Sequence, residues 1–92
     1  MEAEKKVTVR VHPSGWLASY FEKDQFLIQT PKAVNNALAE IRKTVWDQAQ
    51  SPIPEGGMLI LINGKNARFL MKQGYLLRDG DEVTLVPMVA GG

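Results

Sequence analysis

The sequence predicts an α+β fold in which one main helix packs on one face of a sheet. Three observations carry this. Val34, Ala37, Leu38, Ile41 and Val45 recur at spacings of three and four, which is one stripe of a helix. Strand patterns flank that stretch: alternation in Val7, Val9 and Val11, an apolar run from Met58 to Ile62, and alternation again from Glu82 to Val86. Turn signals separate them at His12-Pro13-Ser14-Gly15, Asn63-Gly64 and Asp79-Gly80-Asp81. A lone amphipathic helix must bury its stripe, and a sheet with one apolar face satisfies that need.

Taken in order, Val7 to Val11 reads as a half-buried strand, and the aromatic and apolar stretch Trp16 to Phe21 as a second strand forming a hairpin with it. Phe26-Leu27-Ile28 is a strand extension or a buried lead-in. Thr30-Pro31 is expected to open the helix, with Thr as cap and Pro at the first turn, where its missing N–H costs nothing. The helix should fade near Ala49, because Pro52 disfavours helical geometry at Ser51. Met58 to Ile62 lacks alternation, so both faces are apolar and a central position is expected. Asn63-Gly64 accepts positive φ at both residues and reads as a tight turn. Arg68 to Met71 is expected to be a short strand, Tyr75-Leu76-Leu77 a turn packed under the sheet, and Glu82 to Val86 the last strand.

Composition bounds the function. The 92 residues suit one small domain. A net charge of +1 gives no reason to expect a nucleic acid or a membrane surface as partner. Cysteine is absent, which excludes disulfides and thiolate chemistry. The first residues have no signal-peptide core, and Met58 to Ile62 is far shorter than the roughly 20 residues of a membrane span. A cytoplasmic location is the default expectation.

The order strand, strand, helix, strand, short strand, strand resembles the β-grasp fold of ubiquitin-like proteins, a mixed four- to five-stranded sheet with one main helix on one face. The Asn63-Gly64 turn, the Leu77-x-Asp79-Gly80-Asp81-Glu82-Val83 stretch and the Pro87-x-x-x-Gly91-Gly92 ending resemble its sulfur-carrier branch. That branch includes the small subunit of molybdopterin synthase and the thiamine-pathway sulfur carrier. The first half departs from it, since Gly15-Trp16 and the segment around Trp46 are not family signatures.

The resemblance implies a β-grasp domain over residues 1–87 and a flexible tail over 88–92. It implies no bound cofactor and no enzymatic activity of the chain's own. A ubiquitin-activating-type partner would use ATP and magnesium to adenylate the carboxylate of Gly92. A persulfide or sulfide donor would convert it to a thiocarboxylate. An acceptor enzyme, such as a molybdopterin synthase large subunit, would take the sulfur. Gly91, Ala90 and Pro87 would thread with Gly92 into the activating site, where residues lacking Cβ present least bulk. The same tail also suits a protein modifier conjugated through Gly92 to lysines, and a β-grasp interaction domain without tail chemistry stands as a third reading.

Ordering the five tail residues costs about 5–10 kcal/mol, so a docking surface on the body is expected to offset it. Met58, Ile60, Ile62 and Val86 are the candidates, with a loop or a second copy as the other possible cover of that apolar strand. Lys65, Arg68, Lys72 and Arg78 form an acid-free segment, read first as a solvated edge and second as a contact for an acidic partner. His12 is a lone histidine and reads as a turn residue. Asp79, Asp81 and Glu82 lack the calcium-loop spacing and read as turn chemistry.

Overall fold

The computed structural model describes residues 5–53 and 58–88. Its strands are β1 (Lys6–Pro13), β2 (Phe26–Pro31), β3 (Met58–Ile62), β4 (Lys65–Asn66) and β5 (Glu82–Pro87). Helix α1 spans Val34–Gln48, helix α2 spans Ala67–Lys72, and a 3-10 turn covers Gly15–Tyr20. The strands form one sheet in the order β2-β1-β5-β3-β4. β1 and β5 run parallel and the other neighbours antiparallel, which makes the sheet mixed.

The α1 stripe does what its spacing predicts. Val34, Ala37, Ile41 and Val45 are buried, with Leu38 packed at the margin. They belong to one core with the inward residues of the sheet: Val7, Val9 and Val11 of β1, Ile28 of β2, Ile60 and Ile62 of β3, and Val83 and Leu85 of β5. Each such side chain contributes about 1.5–3 kcal/mol on removal from water.

Four expectations are corrected. Trp16 to Phe21 is a 3-10 turn and not the partner of β1; Phe26–Pro31 takes that role, with Val7 opposite Thr30 and Val9 opposite Ile28. The cause is local. Gly15 adopts φ 56, which redirects the chain, and the Leu17 N–H then donates to the Ser14 carbonyl at 3.1 Å. Leu17 is 0% exposed while Trp16 is 42% exposed, so the segment anchors by single residues and not by alternation. Thr30-Pro31 does not open α1. Thr30 is buried in the β1–β2 ladder, and the chain stays extended through Ala33 because Ala33 bridges Leu76 and Lys32 accepts the Leu77 N–H at 2.8 Å. α1 starts without a side-chain cap.

The third correction concerns β3. It is second from one edge, and β5 holds the centre of the sheet. β4 covers only Leu61 and Ile62 of β3. Fourth, Arg68 to Met71 lies in helix α2. The Asn66 side chain accepts the Arg68 N–H at 2.8 Å as a cap, and Ala67 and Leu70 turn inward at helical spacing.

The two turns beside the start of β5 are pinned together. The Asn63 N–H donates to the Glu82 carbonyl at 2.8 Å, and the Glu82 N–H donates back to Asn63 Oδ1 at 3.0 Å. Asp81 accepts from Asn63 Nδ2 at 3.1 Å, the Arg78 N–H at 3.0 Å and the Tyr75 hydroxyl at 2.9 Å. Partial burial pushes the Asp81 carboxyl up, but these donors and the nearby Arg78 charge outweigh it and hold it below its ordinary value. Burial pushes the Tyr75 hydroxyl up, and donation to Asp81 adds to the shift.

Two measurements check this picture. Leu17→Ala should cost about 2–5 kcal/mol in urea unfolding, whereas Trp16→Ala should cost under about 1 kcal/mol; a strand over Trp16 to Phe21 would not separate the two so sharply. Because the folded Asp81 carboxyl lies below its unfolded value of about 3.9, its stabilisation is present above that pH and lost as pH falls below it. An Asp81→Asn variant should therefore show a shallower loss of stability below about pH 4 than the wild type.

Candidate docking face and tail exit

Strand β5 brings the chain to the start of β3, where Pro87 sits opposite Met58. The exit is clamped from the other side by the turn after β1. Both the Ser14 N–H and the Ser14 hydroxyl donate to the Leu85 carbonyl, at 2.9 and 2.7 Å. Gly15 lies directly against the Pro87 ring: a Cβ built on Gly15 would come within 2.8 Å of Pro87 Cγ. The direction in which the chain leaves the sheet is thus set by two strand pairings and one tight backbone contact. Met88 is described; Ala90, Gly91 and Gly92 lie outside the described residues, as do the tail expectations that rest on them.

The sheet has one helix-free face. Register assigns Leu59 and Leu61 of β3, Thr84 and Val86 of β5, and Arg10 and His12 of β1 to it. Leu59 pairs with Val86 and Leu61 with Thr84, giving a half-buried apolar strip beside the tail exit. His12 Nε2 and Glu82 Oε1 meet at 3.2 Å on the same face. His12 is therefore a strand residue and not a turn residue.

The four expected docking residues divide. Val86 faces outward in the strip. Met58 points to the helix side and lines a cleft next to α1. Ile60 and Ile62 are 4% and 0% exposed, which commits their side chains to the core and removes them from the outward strip. The outward residues of β3 are the alternate pair, Leu59 and Leu61. An all-apolar strand carries no parity signal, and only its register with Val83 and Leu85 decides which side chains turn in. Ser14 and Gly15 also escaped sequence reading as site residues, although the positive-φ preference of glycine after a strand was a usable signal. Among the described residues no cluster of three metal-capable side chains occurs, and no helix is long and apolar enough to cross a membrane.

Topology, register and the single long helix define a ubiquitin-like β-grasp domain whose central strand β5 ends beside an apolar strip. The ThiS family model matches residues 15–92, and the chain belongs to that family of β-grasp sulfur carriers. Among solved structures, small archaeal modifier protein 1 from Methanosarcina acetivorans is 26% identical, with a TM-score of 0.65, and the match covers 96% of this chain and 99% of that one. Urm1 from Sulfolobus solfataricus is 25% identical at a TM-score of 0.60, over 86% of this chain and 99% of that one. Subunit 1 or 2 of a molybdopterin-converting factor complex from Helicobacter pylori shares the fold at 22% identity and a TM-score of 0.60, over 94% of this chain and 100% of that one. Curated protein sequences yield no match.

Gly15→Ala tests the clamp. The substitution places a Cβ against Pro87 in a left-handed backbone, and should lower stability by about 1–3 kcal/mol in urea unfolding. Amide resonances of Val86 and Met88 should shift more than those of β2. Equal shifts in β2 and β5 would mean that Gly15 has no particular hold on the exit.

Proposed function

We propose that this chain is a sulfur carrier that works through the carboxylate of Gly92. A ubiquitin-activating-type enzyme, using ATP and magnesium, converts the carboxylate to an acyl-adenylate and releases pyrophosphate. Hydrosulfide, supplied as such or from a persulfide with a reducing thiol, attacks the acyl carbon and expels AMP, leaving a thiocarboxylate. A carboxylate is a poor electrophile until adenylated, and this is why an activating partner is required. The observation that carries the reading is membership in the ThiS family over residues 15–92.

The strip of Leu59, Leu61 and Val86 fits the docking role. It is apolar, lies beside the exit of β5 and stands on rigidly paired strands. The first acceptor to test is a molybdopterin synthase large subunit, since a protein of the same fold occurs in the Helicobacter pylori complex of converting-factor subunits. A second reading, conjugation through Gly92 to lysines of other proteins, is favoured by the 26% identity to a protein named as a modifier.

Intact mass after incubation with an activating enzyme, ATP and a sulfide source separates the readings. Exchange of one carboxylate oxygen for sulfur is the carrier result. Covalent adducts to other proteins are the modifier result. An unchanged mass with every activating enzyme tried overturns both and leaves an interaction domain. Deleting Gly92, or placing valine there, should abolish activation at unchanged thermal stability. The Leu59→Asp, Val86→Asp double variant should lower kcat/KM for adenylation at least about tenfold, mostly through KM.

A further inference from the structure

A second surface lies around the corner from the apolar strip. Between the outer edge of β3 and the two helices runs a cleft of about 200 Å³. Leu38, Met58, Ile60 and Ala67 give it apolar walls, and Arg42 from α1 and Arg68 from α2 both line it. Among the described residues no acidic side chain lines the cleft. Among the described residues, neither arginine forms a salt bridge, the one recorded pair being His12 with Glu82. Two cations thus share a partly apolar concavity without a counter-charge among the described residues, which a complementary anion would supply.

The backbone beside them is also unsatisfied as a sheet edge. β4 pairs only with Leu61 and Ile62, so Met58 to Ile60 have β5 on one side and no strand on the other among the described residues. An open edge is a template for one more strand, about 4.8 Å away, with main-chain hydrogen bonds supplying affinity and alternate side chains supplying specificity.

We propose that this cleft binds a short, extended, acidic segment of a partner protein, which adds as a strand to β3 at Met58–Ile60 and sets its carboxylates against Arg42 and Arg68. Side chains of the added strand alternate, so one set carries its carboxylates into the cleft toward Arg42 and Arg68 while the other set lies on the opposite face of the sheet, the face that carries Leu59. Arginine suits the task because its planar fork holds a carboxylate through two parallel N–H bonds. The cleft adjoins the outward strip at Leu59 and the tail exit at Met88, but the binding drawn on here uses the β3 edge and the two arginines and needs no reaction at the tail.

The test is a titration of the nitrogen-15-labelled full chain with the blocked synthetic peptide Val-Glu-Val-Glu-Val-Glu. The expected result is saturable amide shifts and slowed hydrogen exchange centred on Met58 to Ile60, with shifts of the Arg42 and Arg68 side chains. The Arg42→Glu, Arg68→Glu double variant should weaken binding at least about tenfold and gain binding to the lysine counterpart of the peptide. If that variant unfolds, Arg42→Gln with Arg68→Gln should still weaken binding, and raised salt should do the same to the wild type. The proposal is overturned by absence of binding, by shifts centred on Thr84 and Arg10 instead, or by an equal response to inorganic pyrophosphate or to an RNA oligonucleotide.

Discussion

The parallel pairing of β1 with β5 is the constraint on which the molecule depends. It joins the first strand of the chain to the last, with Val11 opposite Val83 and Pro13 opposite Leu85. Removing that pairing splits the sheet into a two-stranded β1–β2 hairpin, marginal alone in water, and a separate β5-β3-β4 piece, so the floor under α1 is divided. With β5 in place, Val83 and Leu85 complete the floor on which α1 rests. The turns that flank β5 reinforce the insertion: Asp79 Oδ1 accepts the Thr8 N–H at 2.8 Å, and Asp81 gathers donors from Asn63, Tyr75 and Arg78. Turn residues that read as ordinary loop chemistry are thus fasteners between sequence-distant elements.

Much of this architecture was legible in the order of residues. The α1 stripe, the β1 and β5 alternations and the Asn63-Gly64 turn each declare themselves through local periodicity or backbone permissiveness. What escaped depended on long-range pairing. Thr30-Pro31 has the grammar of a helix start, yet opposition to Val7 keeps it in a strand. Trp16 to Phe21 has strand composition, yet Ser14 is tied to Leu85 and Gly15 is pressed on Pro87, so the chain must turn there. Helix α2 is six residues long, too short for its period to stand out against its positive charges.

The candidate site divides along the same line. Family membership rests on the match over residues 15–92, and the motifs that announce it in the sequence lie in the second half, from Asn63-Gly64 to Gly91-Gly92. The face on which a partner would sit does not, because Met58 to Ile62 is apolar at every position and its parity is set by hydrogen-bonding register to β5. Half of the residues first assigned to that surface, Ile60 and Ile62, are core. The polar edge tells a similar story. Arg68 was read first as one charge in a solvated run and second as a contact for an acidic partner, and its sharing of a cleft with Arg42 becomes visible only when α2 is known to be a helix docked beside α1.

The central placement of β5 has a consequence for timing. Leu59 and Val86, which form the outward strip, come from strands that become neighbours only when the final segment of the chain is inserted between β1 and β3. The strip therefore has no local precursor in a partly folded chain: its two halves are more than a turn or a hairpin apart in sequence. A partner that recognises the strip inspects the completed topology, and nascent or misfolded copies offer it nothing to grip. Folding itself acts as a checkpoint ahead of any chemistry at the chain end.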